Sequence, residues 1–159
     1  MAKQIKIKRL SSTAKLPTKK PEDIGWDCYV DRIWIEDGAL MYGFGIAVEP
    51  PEGYYVDLVP RSSLSKQRWV VGNSFGVIDP KYRGELKAAL KPVGDVVMTE
   101  KGDAWNICFT QDVNCNLPPF AIGDRPVQMI LREIIESELI ESDLSETERN
   151  DGGFGSTGK

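Results

Sequence analysis

Histidine is absent from this chain of 159 residues. Its absence removes the commonest general base and the commonest metal ligand, so acid–base chemistry falls to Asp, Glu, Lys, Tyr or water. Cysteine is scarce: Cys28, Cys108 and Cys115 form an odd set without a C-x-x-C pair. That set offers neither a disulfide framework nor a thiolate zinc site, and buried free thiols are expected. No apolar run approaches a membrane span, and Met1-Ala2-Lys3-Gln4-Ile5-Lys6-Ile7-Lys8 lacks the apolar core of a secretory signal. A cytoplasmic protein without membrane attachment is expected. An excess of basic charge is also missing. With a net charge of −4 and a pI near 5.0, the overall field repels polyanions, and stable nucleic-acid binding is not expected. Any phosphate ligand must be held by a local cluster of arginines, by backbone amides or by a metal.

Long helical periodicity is lacking too. Period-two alternation replaces it, with Gln4-Ile5-Lys6-Ile7-Lys8 placing its isoleucines on one face and Tyr55-Val56-Asp57-Leu58-Val59 alternating similarly. Both read as half-buried strands. Further short apolar stretches at 33–35, 45–48, 69–71, 105–109 and 127–131 are separated by Gly, Pro, Asp and Asn. Only Ser62 to Arg68, just after Pro60, has helical character. Gly38 and Gly94 read as turn residues. Many short strands with such turns predict an all-β chain, a jelly-roll-like distorted β-barrel with one short helix. The core is expected over 1–136, followed by an acidic, serine-rich stretch that opens a flexible C-terminal arm over 137–159. The arm ends in Gly153-Phe154-Gly155-Ser156-Thr157-Gly158-Lys159, which is most of a phosphate-cradling loop, although the helix that completes that signature does not follow.

Chemistry concentrates in Gly72 to Leu86. Asp79-Pro80-Lys81-Tyr82 is a turn sequence with apolar residues on both sides, and a hairpin is expected there. Hairpin backbones expose amides and carbonyls able to read a planar base, and Asp79 at the turn is a carboxylate able to accept a proton.

Five separated stretches, in order, resemble the motifs of the trimeric dUTP pyrophosphatase (dUTPase) family. They are Gly25-Trp26-Asp27-Cys28-Tyr29, Pro60-Arg61-Ser62-Ser63-Leu64, Gly76 to Gly84, Gly123-Asp124-Arg125-Pro126-Val127-Gln128-Met129-Ile130, and Arg149-Asn150-Asp151-Gly152-Gly153-Phe154-Gly155-Ser156-Thr157-Gly158. The resemblance implies hydrolysis of dUTP to dUMP and pyrophosphate, by water attacking the α-phosphorus. That reaction limits uracil incorporation into DNA and supplies dUMP for thymidylate synthesis. Asp79 is then the expected base. Arg61, Ser62, Ser63, Gln128 and Arg149 are expected on the phosphates, joined by the arm residues Gly155 and Ser156. Mg²⁺ is the implied cofactor, chelated by the phosphates and reached by Asp27 through water.

Selectivity is expected from the backbone of Gly76, Val77 and Ile78 with the Asn73 amide on the uracil edge. Tyr82 is expected beneath the deoxyribose and Phe154 over the uracil, with Lys87 a weaker substrate contact. The resemblance further implies a homotrimer with shared active sites, in which the arm closes as a lid. A core of roughly 135 residues is about 37 Å across, and the residues from 137 to 150 extend roughly 45 Å at ~3.3 Å each. Such an arm reaches a neighbouring site.

Two departures stand out. Asn150 and Cys28 replace a usual glycine and leucine, and the stretch at about 94–116 is longer than the family normally has. A surface hairpin is expected for that insertion, with a protein-partner role as the alternative. A dCTP deaminase-type enzyme is the main rival, but its relatives carry a catalytic glutamate where this sequence has Ala89. A regulatory nucleotide-binding protein on the same fold is the other rival.

Overall fold

The computed structural model describes residues 2–94, 96–101, 104–109 and 118–148. Within them the chain runs β1 (Lys6–Arg9), β2 (Trp26–Cys28), β3 (Arg32–Glu36), β4 (Ala39–Gly43), β5 (Ile46–Glu49), β6 (Tyr54–Pro60), a 3-10 helix (Ser62–Lys66), β7 (Trp69–Val71), β8 (Gly76–Ile78), β9 (Lys87–Pro92), β10 (Val96–Lys101), β11 (Ala104–Phe109) and β12 (Val127–Glu133). Two four-stranded sheets result, in the orders β2-β12-β6-β8 and β3-β4-β9-β7, with the pairs β1-β5 and β10-β11 beside them. Every ladder is antiparallel.

The two large sheets share one core. Val56, Leu58, Val127 and Met129 of the first join Leu40, Tyr42, Leu90 and Trp69 of the second in a single buried cluster that also takes in Phe44, Ile46 and Leu86. Each such large side chain contributes about 1.5–3 kcal/mol on burial. Neither sheet closes on itself, so the jelly-roll-like architecture is an open sandwich rather than a closed barrel. The Tyr42 hydroxyl donates to the Phe120 carbonyl at 3.3 Å, and the two rings meet edge to face, fastening the segment before β12 to the second sheet. Asp37 and Gly38, at φ 49° and 71°, form the two-residue turn that joins β3 to β4.

Local patterning explains most elements and fails in several instructive places. Ile7 of β1 and Ile5 just before it do pack against the core. β6 departs from the half-buried expectation: Val56, Asp57 and Leu58 are all buried. β6 is paired on both edges, and Asp57 is balanced by Arg132, whose Nε lies 2.9 Å from its carboxylate.

The expected hairpin over Gly72 to Leu86 forms only at its turn, where the Tyr82 N–H donates to the Asp79 carbonyl at 3.0 Å. Its flanks do not pair with each other. β8 joins β6 in one sheet and β9 joins β4 and β7 in the other, so the turn bridges the sandwich. The helix stops at Lys66 as a 3-10 turn. Its serines compete for the backbone, with Ser65 Oγ donating to the Ser62 carbonyl at 2.7 Å, and Leu64 alone anchors it.

Strands β2 and β4 carry no clear alternation and were not expected as strands from the sequence. In the insertion, β10 and β11 pair from Val96↔Phe109 to Lys101↔Ala104 as a ribbon of their own, in keeping with a hairpin. The residues after β12, through Glu148, have no regular secondary structure. Cys28 is fully buried, and burial pushes its thiol up to about 12, which leaves it an inert core group.

Candidate active site

Three of the quoted stretches converge because β12 lies between β2 and β6. On that ladder Gln128 stands opposite Asp27 on one side and Val59 on the other. Directly opposed residues share a sheet face, so the amide and the carboxylate look the same way. Gly25 is buried against the Gln128 side chain, and a Cβ there would stand 2.0 Å from Gln128 Oε1. The chain leaving β6 adds Arg61 and Ser62. These residues line a cleft of about 530 Å³ together with Glu22, Asp23 and Arg132.

The electrostatics of this cleft centre on half-buried Asp27. Arg61 Nε lies 2.7 Å from Asp27 Oδ1, and Arg125 Nη1 lies 3.1 Å from Oδ2. The two guanidiniums share one carboxylate and so keep further N–H donors for an anion, while Glu22 and Asp23 in the same cleft offset their charge. Arg61 also donates to the Arg125 carbonyl at 3.1 Å. Arg125 was not singled out from the sequence, although it sits three residues before Gln128 in a quoted stretch. Ser63 Oγ is buried and has no hydrogen-bond partner.

A second site forms on the β8 side. Val77, Ile78, Asp79, Tyr82, Glu85 and Lys87 line a pocket of about 160 Å³. β8 is an edge strand, so part of its backbone donors and acceptors faces no ladder partner and is open to a planar ligand. Asn73 lies close by, its side-chain nitrogen 4.0 Å from where a Gly76 Cβ would stand. Tyr82 projects with its hydroxyl donating to the Glu85 carbonyl at 3.1 Å. Asp79 and Val77 also border a neighbouring cleft of about 470 Å³ with Tyr55, Glu133 and Ile134.

The two groups of expected residues therefore occupy separate clefts with no lining residue in common. Arg149, Phe154, Gly155 and Ser156 lie outside the described residues.

As for a cation, no group of three or more Asp, Glu, His or Cys side chains is placed to hold one among the described residues. Asp27, with Glu22 and Asp23 in the same cleft, instead suits a hydrated divalent ion carried in on phosphates.

An open all-β sandwich carrying a cleft of arginines and carboxylates and an edge-strand pocket defines the class of protein. The comparisons narrow it. The family model for dUTPase matches residues 12–104. The deoxyuridine 5′-triphosphate nucleotidohydrolase of Hydrogenobaculum sp. is 35% identical over 159 residues, covering 96% of each chain. That of Arabidopsis thaliana is 33% identical, covering 96% of this chain and 82% of the relative. Among solved structures, the Staphylococcus bacteriophage 80alpha dUTPase with dUPNHPP superimposes with a TM-score of 0.74 at 25% identity, covering 98% of this chain and 99% of that one. The chain belongs to the dUTPase family.

Gly25 yields a direct prediction. Gly25→Ala forces the Gln128 side chain out of the cleft while the flexible amide spares the fold. The expected result is a rise in KM for the nucleotide of roughly tenfold, with an unchanged melting temperature, checked by steady-state kinetics beside thermal unfolding.

Proposed function

We infer that this chain hydrolyses dUTP to dUMP and pyrophosphate. The observation that carries this reading is the joint presence of the arginine-lined cleft and the edge-strand pocket in a member of the dUTPase family. The β8 edge, with Asn73, recognises uracil through backbone groups of Gly76, Val77 and Ile78. Cytosine reverses donor and acceptor there and leaves buried groups unpaired, which supports strong discrimination. Tyr82 packs beneath the deoxyribose, where a ribose hydroxyl collides, and Lys87 borders the same pocket.

Arg61, Ser62 and Gln128 hold the triphosphate, with Arg149, Gly155 and Ser156 brought by the C-terminal arm over 137–159, and Phe154 closing over the base. Ser63, next to Ser62 on the same turn, is placed with them on the phosphates in this reading. Asp79 accepts the proton of the water that attacks the α-phosphorus, and pyrophosphate departs with the electrons of the α–β bridging bond. Asp27 would hold Mg²⁺ through water. When bound, the cation supplies neutralisation of charge on the departing phosphates.

Separate clefts favour a composite site built between copies of the chain, and a homotrimer is the assembly we propose. Beyond β12, Ile135, Leu139, Ile140 and Leu144 are all exposed on a segment without secondary structure. Such a series is left wet by a lone chain and covered by association.

A pyrophosphate-release assay across dUTP, dCTP, dTTP and UTP tests the reading. Turnover is expected on dUTP with Mg²⁺ and its loss with a chelator; equal rates on dCTP, or uracil nucleotide formed from dCTP, overturns it.

A further inference from the structure

Tyr82 is exposed on a loop without regular structure, yet excluding one hydroxyl demands that its ring be fixed to a fraction of an ångström. Its surroundings supply the fixing. The hydroxyl is tied to the Glu85 carbonyl, and the ring lies against Gly84, where a Cβ would stand 2.3 Å from the hydroxyl oxygen and 2.4 Å from Cζ. Glu85 is locked in turn. Its Oε1 accepts the Gly45 N–H at 2.9 Å and Arg32 Nε at 3.3 Å, while Oε2 accepts the second Arg32 nitrogen. Only 11% of the Glu85 side chain is exposed. Gly45 precedes β5, and Arg32 opens β3, where its guanidinium lies 4.6 Å from the centre of the Trp34 ring. One carboxylate thus moors the loop bearing Tyr82 to two strands, through charge-assisted and forked hydrogen bonds.

We propose that Glu85 and Arg32 are positioning residues for sugar selectivity, setting the place of the Tyr82 ring so that deoxyribose is admitted and ribose excluded. The proposal rests on the reading that Tyr82 faces the sugar. Gly84 is the third part of the device, because it lets the ring settle against the backbone.

The experiment compares kcat/KM for UTP with that for dUTP in Arg32→Ala, Glu85→Gln, Gly84→Ala, Tyr82→Ala and the double variant Arg32→Ala/Tyr82→Ala, with thermal unfolding alongside. Arg32→Ala and Glu85→Gln are expected to raise the UTP:dUTP ratio by about fivefold to twentyfold. Tyr82→Ala is expected to raise it further, and Arg32→Ala to add nothing once Tyr82 is gone. Arg32 is 59% exposed, so its removal spares the fold and decides the matter should Glu85→Gln fail to fold. A ratio raised by Tyr82→Ala but unmoved by Arg32→Ala overturns the brace alone, as does an effect of Arg32→Ala that persists without Tyr82. A ratio indifferent to Tyr82→Ala removes the sugar-facing reading itself.

Discussion

Asp79→Asn lowers the rate of pyrophosphate release from dUTP by roughly 10²–10⁴-fold, the usual worth of a positioned general base, while affinity for a non-hydrolysable dUTP analogue stays within a few-fold. The expectation follows from where the side chain sits. Asp79 is exposed at the mouth of the edge-strand pocket and is held at the head of a turn closed by the Tyr82 N–H. Asn preserves the shape and the turn-forming oxygen but cannot take a proton. No histidine exists to substitute for it. The measurement pairs single-turnover kinetics with calorimetric binding of the analogue. Turnover remaining within tenfold of the parent, with binding intact, removes Asp79 from the role of base.

Truncation after Glu148 is expected to lower kcat/KM for dUTP by roughly 10²–10³-fold, comparable to the loss of electrostatic stabilisation at a reacting phosphate. Among the described residues the ladders end with β12 at Glu133, so the sandwich is expected to survive the cut. On the proposed reading, what is lost is the set Arg149, Phe154, Gly155 and Ser156, with its guanidinium, stacking ring and backbone donors. Circular dichroism and sedimentation should be unchanged, while kinetics report the defect. A truncated chain of full activity refutes the lid.

Much of this was legible in the residues themselves, and the illegible parts share a physical cause. The alternation in β1 and the apolar core of β12 announce strands because each buries one face. β6 misleads because alternation cannot show that a strand is covered on both faces, and Asp57 needs Arg132, distant in sequence, to make its burial tolerable. The turn at Asp79 to Tyr82 is written in local chemistry, whereas the parting of its flanks into opposite sheets is a tertiary choice. Asp27, Arg61, Ser62 and Gln128 were picked out by motif, and the ladder explains their convergence. Arg125 and the Arg32–Glu85 pair stayed hidden because ion pairing between separated strands leaves no spacing to read.

The absence of any residue common to the two clefts has a genetic corollary under the composite-site reading. A copy disabled at Asp79 and another disabled at Arg61 each keep the half that the other has lost. Mixed assemblies then regain some wholly functional centres, so two inactive alleles complement each other when co-expressed, whereas two lesions in the same cleft never do.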